Sequence, residues 1–523
     1  MKRALGAAVA VLAWMALAAA GIEHGAADES SVADAPAVPE VADAPDVPEA
    51  PETQQAPSTP IARNVILFVG DGMGIATVTA ARILEGQLRG QTGEENLLSF
   101  ERFPYTALSK TYNVDMQVPD SAGTMTAMMS GIKTRAGVIG VSPAIERGDC
   151  AGTADASVPT LLEQAEQRGL VTGIVSTARI THATPAATYA HAPERNWETD
   201  AWMLPMAHTL GCVDIAMQLV EFAHGDGIEV VLGGGRAAFA PSSTLDPEGT
   251  PGARADGRDL IAEWQARYPK GSYVWNRETF DAAVAAGAPK LFGLFEASHM
   301  EYEADRSQDE GGEPSLAQMT EAAIGLLAGR GEGFFLMVEA GRIDHGHHAG
   351  NAYRALTDTI ALSEAVAVAQ RLTDDADTLI IVTADHSHTL TISGYPVRGN
   401  PILGKVRLPN GEYARDANGR PYTTLGYANG PGALPASDIQ AAGVKRFPHF
   451  PGSFDDAFPT RPDLLEVDTT DPLFLQEALV PLSTETHAGE DVPVYARGPG
   501  AAQVRGVIEQ NRIYHLMRAA YGW

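Results

Sequence analysis

Cysteine is almost missing from this chain: Cys150 and Cys212 are the two in 523 residues. They allow one intrachain bridge at most. Positive charge is scarce too, with 37 Lys and Arg against 66 Asp and Glu, a net charge of −29. No Lys/Arg stripe is available to neutralise phosphates, which argues against nucleic acid as a partner. An anionic substrate would be repelled by the protein as a whole, so it needs local positive charge from metal ions or arginine. No apolar run of membrane length follows the N-terminal segment. The C-terminal residues Met517 to Trp523 lack the small-residue site and apolar tail of a lipid anchor, so no stable membrane anchor is expected.

Hydrophobic residues make up 45% of the chain, with 53 Gly, which reads as a globular α/β protein long enough to bury a large core. Residues 1–20 open with Lys2 and Arg3, run through an apolar stretch and end in three alanines, the pattern of a secretory signal peptide. Residues 21–61 form an acidic Pro/Ala-rich linker, in which Val32 to Glu40 is nearly repeated as Val41 to Glu49. With no aromatic, Lys or Arg from 21 to 60, it cannot bury enough apolar surface to fold. The mature protein is expected to be exported, periplasmic or extracellular. In that setting Cys150 and Cys212 are expected to bridge rather than remain free thiols.

The folded domain spans 62–523. Val65 to Val69 is a short continuous apolar run, the mark of a strand buried on both faces. Similar runs recur at 171–175, 229–232, 334–338 and 379–382, separated by helical patterns such as Thr160 to Arg168 and Ala352 to Leu372. The alternation predicts an α/β fold with a mostly parallel central sheet sandwiched by helices. Ligands in such folds sit outside the carboxyl ends of the strands, where Asp71, Glu339, Asp385 and His386 all fall. Residues of about 240–315 and 391–480 read as insertions, the second as a loop-rich accessory subdomain over the site.

Val118-Pro119-Asp120-Ser121-Ala122-Gly123-Thr124 sets a serine behind a Pro-Asp pair and ahead of small, helix-compatible residues. Asp120 or Ser121 suits the N-cap of the helix that follows. There the serine hydroxyl has the positive end of the helix dipole beside it, a place to attack or hold an oxyanion. A plain capping serine is the alternative, and no histidine base is evident. Glu339 to His348 is the densest cluster. Asp344 and His348, four apart, share a helix face and can share a metal, and Glu339 is an oxygen ligand for a harder ion such as Mg²⁺. A solvated polar loop is the alternative. Asp385 and His386 suit a second pair of zinc ligands, and His487 a distant one. Arg195 can grip two phosphate oxygens in a bidentate fork, against a surface ion pair with Glu194 or Glu198. Zinc on the Ser121 hydroxyl would lower its pKa without a histidine base, and two-metal phosphoryl transfer fits the set.

These residues carry a family resemblance. The stretches Asn64 to Gly74, Pro119 to Thr124, Thr181 to Pro185, Glu339 to His348, Thr383 to His388 and Glu485 to Asp491 together resemble alkaline phosphatases, from about residue 62 to the end. The resemblance implies hydrolysis of phosphate monoesters through a phosphoserine on Ser121, with two Zn²⁺ and one Mg²⁺. It places one zinc on Asp344, His348 and His487, and the second on Asp71, Asp385, His386 and the Ser121 oxygen. It places magnesium on Asp71, Thr184 and Glu339, and Arg195 on the phosphate. His182 and His345 stand behind these ligands, where animal enzymes carry histidines and the best-known enterobacterial enzyme has Asp and Lys. The Cys150–Cys212 pair is animal-like too. Leu294-Phe295-Glu296 and Glu313-Pro314-Ser315-Leu316 suggest that family's calcium site, on Glu248, the Phe295 carbonyl, Glu296 and Glu313. Glu313 stands where Asp is expected, with two residues inserted before it. A crown-like accessory subdomain and a homodimer are further implications of the resemblance.

The nearest alternative is a phosphodiesterase on the same scaffold. A sulfatase needs Cys or Ser followed by Pro and Arg at fixed spacing, which Ser121 to Met125 lacks. The Gly-x-Ser-x-Gly elbow of metal-free hydrolases is also absent around Ser121. A secreted calcium-binding adhesion module would explain the acidity but not a capped serine beside strand-end ligands.

Overall fold

The computed structural model describes residues 61–433 and 461–523. The proposed signal peptide, and the linker apart from Ile61, lie outside the described residues. So does the part of the accessory subdomain at 434–460.

The strands, in chain order, are β1 (Asn64–Gly70), β2 (Tyr105–Lys110), β3 (Val171–Arg179), β4 (Val230–Gly234), β5 (Ser272–Val274), β6 (Leu291–Leu294), β7 (Phe334–Ala340) and β8 (Thr378–Ala384). They continue as β9 (Ser387–His388), β10 (Leu390–Ile392), β11 (Leu425–Gly430), β12 (Ala478–Pro481), β13 (His487–Ala488), β14 (Val492–Arg497) and β15 (Gly506–Glu509). Ten of them form one sheet in the order β15-β2-β14-β8-β1-β7-β3-β4-β6-β5. Only β14 runs against its neighbours, β2 and β8. The sheet is therefore mostly parallel, as the continuous apolar runs predict.

Those runs have a direct reading in the packing. Successive side chains of a strand point to opposite faces. Val65, Leu67 and Val69 join the core on one face of the sheet. Ile66 and Phe68 join the core on the other. Burying each such side chain contributes roughly 1.5–3 kcal/mol, so both faces must be covered by helices. One is Leu161–Gln167, opened by a capping box. The Thr160 hydroxyl accepts from Glu163 N–H at 3.1 Å, and Thr160 N–H donates to the Glu163 carboxylate at 2.9 Å. Another is Ala352–Leu372, capped by Asn351.

The stretch at 240–315, expected as an insertion, contributes to the central sheet. It carries β5 and β6, which extend the central sheet beyond β4 by parallel pairing. Strands of three and four residues carry too little alternation to announce themselves in sequence. The accessory subdomain holds the small sheet β10-β11-β12. Cys150 and Cys212 are bridged. Among the described residues no helix is long and apolar enough to cross a membrane.

The parallel direction brings the carboxyl ends of β7, β1 and β8 side by side: Val69 is level with Glu339 on one side and Thr383 on the other. Asp71, Glu339, Asp385 and His386 are thereby delivered to one rim.

Candidate active site

Ser121 enters that rim from the helix Ser121–Ser130. Asp120 is its N-cap, with an extended backbone (φ −117°, ψ 161°) and a carboxylate that accepts from Gly123 N–H. Ser121 is thus the first helical residue rather than the cap, and it is buried. Its Oγ lies 3.2 Å from His386 Nε2. The second Asp120 oxygen accepts from Gly137 N–H at 3.0 Å and from Arg195 Nη1 at 2.9 Å. Burial pushes the Asp120 carboxyl up, but Arg195 and the two amides outweigh it and hold it below the usual range. The surface-pair reading of Arg195 therefore fails. Glu194 is paired with Arg147 at 2.6 Å and Glu198 with Arg179 at 2.7 Å, so Arg195 faces the serine helix. Arg195 Nη2 lies 3.2 Å from His182 Nε2.

Three candidate ligand sets share this rim. In the first, Asp344 Oδ1 is 3.3 Å from His348 Nε2 and 3.3 Å from His487 Nε2, and the two imidazole nitrogens are 3.1 Å apart. An ion with tetrahedral ligands at about 2.0–2.1 Å sets neighbouring ligand atoms about 3.3 Å apart. In the second, His386 Nε2 is 3.3 Å from Asp71 Oδ1, 3.4 Å from Asp385 Oδ2 and 3.2 Å from Ser121 Oγ, the same spacing. The third gathers Asp71, His182 and Glu339. Both Asp71 oxygens, Glu339 Oε1, Thr184 Oγ1 and His182 Nδ1 are buried there without a hydrogen-bond partner. Orphaned carboxylate oxygens cost several kcal/mol unless a cation meets them, so the donor set fits divalent metal ions.

The electrostatics agree. Burial, then Asp385, Asp344 and Glu339, push the Asp71 carboxyl well above the carboxylate range. Burial and Asp385 push Glu339 to about 8 against the pull of the Ser176 hydroxyl. Asp385 is raised chiefly by burial. At Asp344, burial is outweighed by His348, His388 and His487, which hold it well below the usual value. Bound cations reverse the upward shifts by neutralising the mutual repulsion.

Two glycines let the Asp71 loop approach. A Cβ on Gly72, at φ +70°, would lie 2.3 Å from the His388 ring, and one on Gly74 would lie 2.0 Å from Ser387 Oγ.

The structure adds residues that the sequence reading left unassigned. His388 pairs directly across from His487 on β9 and β13. Its Nε2 is 2.8 Å from Asp344 Oδ1 and its Nδ1 is 2.5 Å from Glu485 Oε2. The available signal was spacing: His386 and His388, like Glu485 and His487, are two apart in extended chain. His299 was also missed. Its ring lies 4.0 Å from that of His345 and 5.4 Å from that of His182, forming a histidine wall behind the third set.

Of the residues expected to hold calcium, Glu248 and Glu296 come together in the structure. Among the described residues, Glu248, Glu296 and Asp309 are the carboxylates that meet. Glu313 accepts from Glu301 N–H at 3.1 and 3.3 Å, and burial, with Glu296 and Asp309 nearby, pushes it up to about 9. The Phe295 carbonyl accepts from Arg236 Nη1 at 3.3 Å, and Arg236 also pairs with Glu248.

Comparisons with known proteins fit this geometry. Residues 62–522 match the sequence profile of the alkaline phosphatase family. The chain is 45% identical over 468 residues to the tissue-nonspecific alkaline phosphatase of Gallus gallus, covering 88% of this chain and 84% of that protein. It is 43% identical to the alkaline phosphatase of Gadus morhua, covering 88% and 91%. Among solved structures, the Thermus thermophilus alkaline phosphatase matches with a TM-score of 0.61 at 24% identity, over 88% of this chain and 92% of that one. The enzyme of the Antarctic bacterium TAB5 matches with a TM-score of 0.57 at 22% identity, over 89% and 99%. Over nearly all of its folded length, this chain belongs to the alkaline phosphatase family.

Proposed function

We propose that the protein hydrolyses phosphate monoesters to an alcohol and inorganic phosphate through a phosphoserine on Ser121, using two zinc ions and one magnesium. The observation that supports it most is the convergence of three ligand sets and the Ser121 hydroxyl on one strand-end rim. Asp344, His348 and His487 would hold one zinc, and Asp71, Asp385, His386 and Ser121 Oγ the other. Asp71, Thr184 and Glu339 would hold magnesium, with His182 and His345 behind them. When bound, the ions supply Lewis acidity, neutralising phosphate charge and lowering the pKa of oxygens at the site.

The chain's own residues do the rest. Ser121 Oγ attacks phosphorus as the bond from phosphorus to the ester oxygen breaks. The serine proton passes to solvent, and the departing alcohol takes one from water. Water then attacks the phosphoserine, forming a new bond to phosphorus as the bond to Oγ breaks, and Ser121 regains its proton. Arg195 directs one N–H at Asp120 and another nitrogen at His182. Its fork still has further N–H groups for two phosphate oxygens. Asp120 thus both caps the serine helix and aims the arginine.

Export, a homodimer, and calcium on Glu248, the Phe295 carbonyl, Glu296 and Glu313 belong to the same proposal, resting on the resemblance, with Asp309 as a further carboxylate beside Glu248 and Glu296. The test is metal analysis of the purified chain, with monoester turnover before and after chelation. Two zinc per chain and activity lost to the chelator are expected. Turnover that survives complete metal removal would refute the reading. Rates on mono- and diester substrates separate it from the phosphodiesterase alternative.

A further inference from the structure

We propose that strand β11 of the accessory subdomain positions the first zinc set, so that the subdomain is part of the metal centre rather than a cover over it. The inference rests on the zinc reading above. Tyr427 and Asn429 are two apart on β11 and share one face. The Tyr427 hydroxyl lies 2.8 Å from His347 Nδ1, and His347 Nε2 lies 3.0 Å from Thr77 Oγ1. His347 is fully buried and sits on the helix Arg342–His348 between Asp344 and His348. Held from both sides, it fixes the rotation of the helix that carries two zinc ligands. Asn429 grips Thr486, the neighbour of His487, at both ends. Its Nδ2 donates to Thr486 Oγ1 at 2.9 Å, and its Oδ1 accepts from Thr486 N–H at 3.0 Å.

The residues beside them act on the same group. Ala428 N–H donates to the carbonyl of Thr389, next to His388, at 3.2 Å. Gly430, at φ +132°, lies so close to Glu485 that an added Cβ would come within 3.1 Å of the Glu485 Cβ. Glu485 in turn holds His388. Four consecutive residues therefore touch the Asp344 helix, the His388 strand and the His487 loop, three pieces distant in sequence. Ligands fixed this way are ordered during folding, and the ion need not order them on binding. Removing such outer partners typically weakens metal affinity 10–100-fold.

The test uses the zinc-loaded full chain carrying Asn429→Ala or Tyr427→Phe. Tyr395→Ser is the control, being 89% exposed in the same subdomain. Zinc release to a chromogenic chelator should be about 10-fold faster in both variants and unchanged in the control. The zinc-free proteins should melt only slightly below zinc-free wild type, through the deleted hydrogen bonds, and excess zinc should restore kcat. Wild-type release rates in both variants would overturn the proposal. So would a lowered melting temperature of the zinc-free form with release unchanged, the mark of a merely structural strand. A wild-type chain that binds no zinc would bring down the zinc reading itself, and the inference with it, a result distinct from either variant outcome.

Discussion

Asp120→Asn separates two jobs that one carboxylate performs. Asparagine is as good an N-cap as aspartate, so the bond to Gly123 N–H survives and the serine helix keeps its start. The other oxygen becomes an amide NH₂, which cannot accept from Gly137 N–H or from Arg195 Nη1, now 3.0 and 2.9 Å away. Arg195 and Asp120 are only 17% and 19% exposed, so little water replaces the lost partner. A charge-assisted bond of this kind contributes about 1.5–3 kcal/mol. Part of that loss falls on folding and part on phosphate, because an unpinned guanidinium must be ordered each time it grips an anion. Taking about 1.4 kcal/mol as the share felt by phosphate, the inhibition constant for inorganic phosphate should rise about tenfold. Competitive inhibition by phosphate, measured with zinc content verified, reads this directly. Asp120→Ala should show the same rise and lose about 1 kcal/mol more stability to urea through the missing cap. An unchanged inhibition constant in Asp120→Asn would refute the idea that Asp120 aims Arg195 at phosphate.

Two further outcomes follow from buried groups away from the site. Glu166 is buried with Oε2 unpartnered, and burial, with Glu229, pushes its carboxyl to about 8 despite the Thr172 hydroxyl. The folded state holds that proton and the unfolded state releases it near 4.5, so this contribution to stability is complete below about pH 4.5 and is lost as pH rises through 8. Glu166→Gln should abolish a loss of about 2–3 kcal/mol between pH 6 and 9, read from urea unfolding at both values. An equal loss in the variant and the wild type would contradict it. The Cys150–Cys212 bridge closes a loop of 62 residues. Cys150→Ser/Cys212→Ser should therefore cost about 4 kcal/mol, and unchanged unfolding would show the bridge to be idle.

What the sequence made legible was whatever is local. Continuous apolar runs named the strands buried on both faces, and polar residues at their ends named Asp71, Glu339 and Asp385. The helical spacing of Asp344 and His348 held as well, because four residues is one turn. Partners fixed by tertiary approach were harder. Arg195 stands beside Glu194 in sequence yet pairs with Asp120, since Arg147 takes Glu194 and Arg179 takes Glu198. His388 and His487 meet across β9 and β13, two strands of two residues each, which leave no periodicity to read, and Glu485 reaches His388 from just before β13. Of the residues expected at the calcium site, Glu248 and Glu296 meet in the structure, joined by Asp309, which no local pattern pointed to.

The central claim is that Ser121 carries the phosphoryl group and that metal ligands on neighbouring strands, not a histidine base, make it reactive. Brief reaction with a labelled phosphate monoester, acid quenching and peptide mapping test it most directly, on the wild type and on Ser121→Ala with matched zinc content. The account predicts label on the peptide containing Ser121 in the wild type, none in the variant, and little change in bound zinc. Label at another residue, or a variant that still forms a phosphoenzyme, would contradict it.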